Sequence, residues 1–230
     1  MLRPRAPEIQ LRTEDGAVLA ARAWRLESPV LAISSAPFGG GLGLRHWVLN
    51  AQVPHGYDCD DPAGHLDALA SAAGLVGPGV GMMTAVDVHL ASTLSWEAID
   101  VDATVGVTTP LWAAEDEPGL PGRGVARVAR APGVPGVPSV GTINMVISLP
   151  QRLSDAALVN AVGTATEAKT QALWDAGVPG TGTATDAMCI LCPPDGPAHA
   201  YGGPRSTWGA RLARAVYRAV LTGCPTMGST

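Results

Sequence analysis

The sequence predicts an α/β fold, or an α+β variant of it: a single compact domain over residues 1–230, with a mixed sheet covered by alanine-rich helices. Three observations lead there. The second half of the chain reads strand, helix, strand, helix, an order typical of layered α/β and α+β domains. The apolar content is 47% but includes a single Phe, Phe38, so Ala, Val, Leu and Gly must fill the core. Such thin side chains let helices lie close against a sheet. Finally, a chain of this size buries roughly 70% of the surface its unfolded form exposes, so a real core is available.

In chain order, residues 8–12 alternate in polarity, Glu14-Asp15-Gly16 is a turn signal, and residues 18–24 return as the second arm of a hairpin. Residues 30–34 form a short apolar strand, broken by the run SSAPFGGG at 34–41. Residues 47–53 read as a strand, and 62–73 as a helix with Pro62 in its first turn. Residues 80–88 and 102–108 are predicted strands. Residues 117–139, rich in Pro and Gly with three Arg, read as a surface loop. A strand over 140–149, a helix over 154–176, a strand over 185–191 and a helix over 206–221 complete the chain. There is no internal repeat.

The helix from Ser154 is the most informative segment. Ser154 is a good N-cap, and Asp155 sits in the first turn where the helix dipole favours an acid. Steps of about 100° place Leu158, Ala161, Val162, Ala165, Ala172, Leu173 and Ala176 on one stripe. Lys169 falls in the middle of it, with Asn160, Thr164, Glu167 and Gln171 opposite. A lysine on a packing face must snorkel out or meet an acid, because an unpaired buried charge is costly. The nearest candidate acid is Asp186, early in the next strand.

Composition excludes several classes. Net charge is −5, and there is no basic stripe to displace counterions from nucleic acid. Arg211, Arg214 and Arg218 share one face of the last helix and read as a solvated face. Arg3, Pro4, Arg5 and Pro7 stand where a signal peptide would be apolar. The longest uncharged run, residues 69–86, contains Gly74, Gly77, Pro78, Gly79 and Gly81, which a membrane-spanning helix would not carry. A soluble, cytoplasmic protein without membrane partner is expected; homo-oligomerisation is left open. Four cysteines (Cys59, Cys189, Cys192, Cys224) do not make a disulfide scaffold. Cys189 and Cys192 form a CxxC inside the strand AMCILC, so they point to opposite faces and read as core thiols rather than zinc ligands. His46, His55, His65, His89 and His199 show no metal-binding spacing, so no metal site and no required cofactor are expected.

Four local patterns go beyond packing. SSAPFGGG follows a strand and lets backbone N–H groups approach a ligand. GVGMMTAVD at 79–87 is a second such turn, leading into Thr84. GTIN at 141–144 places Asn144 at a strand edge, where an amide can donate to an oxyanion. TGTATD at 181–186 enters a fully apolar strand. Amide hydrolysis needs a base, a proton donor for the leaving amine and oxyanion stabilisation. Glu167, Lys169 and Asp186 are the ionisable candidates nearby, and Thr84, Thr183 and Thr185 are candidate hydroxyl nucleophiles. There is no GxSxG elbow. Spacing alone stops at an α/β hydrolase or binding protein.

These segments, in this order, resemble the adenosylcobinamide amidohydrolase family. The matching runs are SSAPFGGG, Asn50 with Val53-Pro54, GMMTA at 81–85, TVG at 104–106, GTIN, ATEAKTQAL at 165–173, TGTATDA at 181–187 and YGGPRSTWG at 201–209. The resemblance implies an amidohydrolase acting on a linear amide: adenosylcobinamide is hydrolysed to adenosylcobyric acid and 1-aminopropan-2-ol in corrinoid salvage for adenosylcobalamin synthesis. Glu167, Lys169, Asp186 and Asn144 stand at matching motif positions, and their residue types make them the candidate catalytic set. Ser35, Phe38, Gly39, Gly40, Asn50, Met82, Thr84, Thr183, Thr185, Tyr201 and Arg205 are the candidate substrate contacts. The expected mechanism uses water as nucleophile, Asp186 or Glu167 as base, Lys169 or that base's conjugate acid as proton donor, and Asn144 with glycine N–H groups at the oxyanion. A nucleophilic Thr183 or Thr185 is the rival mechanism, and a corrinoid carrier without turnover the rival function. Thr108-Thr109-Pro110 departs from the small or Asn-containing turn of the family, which bears on substrate preference.

Overall fold

The structure is a computed structural model that describes residues 6–115 and 141–225; the loop expected at 117–139 lies outside them. Among the described residues eight strands form one mixed sheet. In chain order the elements are β1 (Glu8–Glu14), β2 (Ala17–Ser34), β3 (Gly41–Gln52), α1 (Pro62–Ala72), β4 (Gly79–Thr84), a 3₁₀ turn (Val88–Leu90), β5 (Ser92–Trp96), β6 (Ile99–Val105), β7 (Ile143–Ser148), α2 (Asp155–Asp175), β8 (Ala187–Cys192) and α3 (Thr207–Gly223). The sheet order is β4-β3-β2-β8-β7-β6-β5, with β1 on the free part of β2. β3/β4 and β7/β8 are parallel and the other pairs antiparallel. Among the described helices none is long and apolar enough to cross a membrane.

Local chemistry explains most boundaries. Asp15 and Gly16 adopt positive φ and close the β1–β2 hairpin. Asp61, Ser154 and Ser206 cap the three described α-helices, each accepting from a backbone N–H in the first turn. The structure differs from the sequence reading at several ends. Glu27-Ser28-Pro29 does not split β2; the register slips between Arg25 and Val30 and the strand continues through the irregularity. β3 starts at Gly41, because the glycine-rich end of the 34–41 run pairs with the end of β2. β5 was not anticipated at all: its hairpin to β6 turns on Glu97 and Ala98, both at positive φ, with no Asn-Gly or Asp-Gly signal.

Alternation on β7 and β8 divides the core into two layers. Ile143, Met145, Ile147, Met188, Ile190 and Cys192 face α2 and α3. Val146, Ala187, Cys189 and Leu191 face Trp24, Val30, Val48, Val80 and Met82, which come from β2, β3 and β4. The sheet therefore curls so that its N-terminal strands cover its second face. Polar bonds pin the curl: Arg22 of β2 ion-pairs with Asp102 of β6, which also accepts from Thr93 Oγ1 at 2.8 Å. Asn50 of β3 donates to Thr104 Oγ1 of β6 at 3.1 Å. A third cluster, with Leu49, Trp47, Leu66 and Ala70, seats α1. Each fully buried Leu or Ile in these layers contributes roughly 1.5–3 kcal/mol.

Candidate active site

The turn before β8 is organised around one carboxylate. Asp186 Oδ1 accepts from Ile143 N at 2.9 Å and from Thr183 Oγ1 at 2.5 Å. Its Oδ2 accepts from Thr183 N at 3.1 Å and from Lys169 Nζ. Lys169 reaches it from the apolar stripe of α2, where its residue exposure is only 6%. The acid expected from the sequence is thus its partner. Gly182 makes the approach possible, since a Cβ there would lie 2.3 Å from Asp186 Oδ2 and 2.5 Å from Lys169 Nζ. Four donors occupy the roughly four lone-pair sites of a carboxylate. The pair is therefore closed, and it makes the 181–186 turn rigid.

Above this turn lies a cleft of about 450 Å³. The carboxyl-terminal ends of β2, β3 and β4 supply Ser35, Pro37, Val53, Pro54, Met83, Thr84 and Ala85; the amino-terminal ends of β7 and β8 supply Thr142 and Ala184 to Ala187. Gly56, Tyr57 and Pro62 complete the lining. The Thr142 and Thr185 hydroxyls lie 2.6 Å apart, and Thr185 Oγ1 also donates to Gly141 O at 3.3 Å. Ser35 exchanges bonds with Met188: its N–H donates to Met188 O, and its Oγ accepts from Met188 N, both at 3.1 Å. Thr84 Oγ1 accepts from Val86 N at 3.1 Å, which fixes the end of β4. Tyr57 Oη lies 2.8 Å from His65 Nδ1. Burial, and next the contact with Cys59, push the Tyr57 phenol above its ordinary titration range.

Of the residues expected from the sequence, Ser35, Thr84, Thr185 and Asp186 line this cleft. Thr183 and Lys169 stand behind Asp186. Asn144 is buried and commits both amide hydrogens, to Asn50 Oδ1 at 2.9 Å and Met83 O at 2.8 Å. Asn50 and Asn144 therefore brace the wall rather than face the cleft. Met82 is fully buried in the second core layer. Phe38 bridges to Gly81 and stacks on Trp47 with centroids 5.7 Å apart. Gly39, at φ +65°, presses on β4, where a Cβ would meet Gly79 O at 1.8 Å. Gly39 O accepts from Arg45 Nε at 3.0 Å, so the glycine run with Gly40 is a packing device beside the cleft.

Three expected residues are elsewhere. Glu167 is exposed and lines a separate cleft of about 330 Å³ between α2 and α3, together with Thr164, Gln171 and Arg218. Tyr201 and Arg205 are exposed between β8 and α3. Sequence reasoning missed Thr142 and Tyr57. Thr142 sits inside the GTIN run, so its motif was a usable signal; Tyr57 lies in an aperiodic loop and had none. Among the described residues no group of three or more His, Cys, Asp or Glu could hold a metal ion.

The chain is 26% identical over 203 residues to an adenosylcobinamide amidohydrolase of Methanosarcina mazei, across 84% of this chain and 90% of that protein. It is 41% identical over 81 residues to an adenosylcobinamide amidohydrolase of Halobacterium salinarum, across 35% of this chain and 34% of that protein. Residues 8–228 match the sequence pattern of adenosylcobinamide amidohydrolases, and the chain belongs to that family.

Proposed function

We propose that the chain hydrolyses the aminopropanol side-chain amide of adenosylcobinamide, as a carbon–nitrogen hydrolase acting on a linear amide. The products are adenosylcobyric acid and 1-aminopropan-2-ol, and the reaction serves corrinoid salvage for adenosylcobalamin synthesis in the cytoplasm. The observation that carries this reading is convergence: Ser35, Val53, Met83, Thr142 and Thr185, each from a different family run, line one cleft. At about 450 Å³ the cleft falls within the range of small-molecule sites, and it suits an amide arm with the adjoining ring edge. The macrocycle itself rests outside.

Within the cleft, the Thr142 and Thr185 hydroxyls are placed to bond the scissile amide. Asp186 fixes the turn that presents Thr185, and Lys169 neutralises Asp186 in turn. Both are positioning residues, because Asp186 cannot accept a further proton without releasing one of its four donors. Water is the nucleophile, and turnover needs no added metal. The test is mass spectrometry of adenosylcobinamide incubated with the purified chain. Conversion to the cobyric acid with release of the amine supports the reading. Intact substrate retained on the protein through a long incubation would overturn it in favour of a carrier.

A further inference from the structure

Hydrolysing an amide moves two protons, one off the attacking water and one onto the departing amine. The closed Lys169–Asp186 pair can carry neither without dismantling its turn. The opposite wall of the cleft holds a second set of titratable groups. Tyr57 lines the cleft from the loop between β3 and α1, where its N–H is held by Pro54 O at 3.1 Å. Its Oη is 2.8 Å from Nδ1 of His65, in the first turn of α1. On the other side of that ring, Nε2 is 3.5 Å from Oε1 of Glu14, the last residue of β1. Arg12 Nε donates to Glu14 Oε2 at 2.8 Å and keeps the carboxylate in place. A carboxylate only accepts, so it draws the imidazole proton to Nε2 and leaves Nδ1 to accept from the phenol. Carboxylate, imidazole and hydroxyl thus stand in the order of a hydrolase triad, with a phenol as the hydroxyl.

The geometry points to Glu14, His65 and Tyr57 as the proton relay of the amide hydrolysis, a role that rests on the proposed reaction. A water in the cleft gives one proton to Tyr57 Oη while the phenolic proton passes to His65 Nδ1. The water oxygen bonds to the amide carbon, and the carbonyl π pair moves onto its oxygen. When that pair returns, the C–N bond breaks and its electrons stay on nitrogen. The nitrogen takes a proton from Tyr57 Oη, and His65 Nδ1 returns its proton to the phenol oxygen. Amide and water have become acid and amine, and the relay is as it began. Glu14 offsets the transient imidazolium charge. Burial keeps the phenol protonated between turnovers, as the relay requires. Beside Glu14, the charged or titratable groups acting on the phenol are Arg12 of β1 and Cys59 of the same loop, with Asp186 lining the same cleft.

A Tyr57–His65 bond that only stapled the loop to α1 would alter stability and KM. The relay alters kcat. Full-length Tyr57→Phe and His65→Gln are therefore compared with wild type for amine release from adenosylcobinamide across pH, alongside thermal melting. Each variant is expected to lose about 10²–10⁴-fold in kcat with KM unchanged, and the double variant to lose no more than either single one. A kcat within about tenfold of wild type in either variant overturns the relay. A wild-type chain that releases no amine overturns the hydrolase reading and the relay with it, so the two failures are distinguishable.

Discussion

Lys169→Met removes the charge that, among the described residues, neutralises Asp186, while keeping the length and apolar stem of the side chain. Both partners are largely out of water, with side-chain exposures of 8% and 15%. Breaking a buried pair from one side costs about 3–5 kcal/mol, because the remaining charge is stranded. Three donors stay on the carboxylate here, from Ile143 N, Thr183 N and Thr183 Oγ1, which places the expected loss near the lower end, about 3 kcal/mol. For a chain of this length each kcal/mol lowers Tm by about 2–4 °C, so a fall of roughly 6–12 °C is expected. Calorimetry of the purified variant reads it directly. Glu167→Gln, two residues away on the exposed side of the same helix, is the control and should stay within about 0.5 kcal/mol of wild type. A Lys169→Met melting point indistinguishable from that control would refute the claim that Lys169 holds the Asp186 turn together.

Other consequences are equally open to measurement. Gly39→Ala forces a side chain both into positive φ and onto Gly79 O, and should cost at least about 2 kcal/mol in urea unfolding. Gly16→Ala, at φ +78° but with nothing within 4 Å of its Cβ, should cost less, the difference isolating the contact. Burial pushes the Cys189 thiol from 9.0 up to about 12, so an alkylating reagent at mildly alkaline pH should label exposed Cys59 and spare Cys189 until the chain unfolds. The unfolded chain loses that proton near pH 9 and the folded chain only near pH 12, so Cys189 makes folding stability fall as pH rises through this window. Intact-mass spectrometry during turnover should show no acyl adduct on Thr183 or Thr185, and Thr183→Ala should keep measurable activity; a trapped adduct would replace water by threonine as nucleophile.

Much of the architecture was legible because it follows from periodicity and caps. Ser154 and Ser206 start helices where a side-chain oxygen is needed, and the strand AMCILC is buried on both faces as an unbroken apolar run implies. Lys169 was legible for a sharper reason: a charge in an apolar stripe demands a partner, and Asp186 supplied it. What periodicity cannot convey is which elements meet. Thr164 belongs to the polar side of α2 in projection, yet it is buried because Gly202 O accepts its hydroxyl at 2.9 Å. Asn144 sits at a strand edge as expected, but Asn50 and Met83, brought over by the curl of the sheet, absorb its donors. Glu14 reads as part of a turn, and only the docking of α1 places His65 beside it.

The order of strands has a further consequence. Strands β1 to β4 form one side of the sheet and β5 to β8, with α2 and α3, the other, and among the described residues they join in the sheet only where β2 meets β8. That seam has four register pairs, from Leu31–Cys192 to Ser34–Cys189, and the groups it brings together are about 150 residues apart in the chain; Ser34 Oγ and Met188 O are separated by 154. Tyr57 and His65 lie on one side, Thr142, Thr185 and Asp186 on the other. Closing so long a loop is entropically slow, and neither part holds a whole cleft before it closes. Recovery of activity on refolding should therefore lag behind recovery of helix and strand signals, timing the zipping of one short seam.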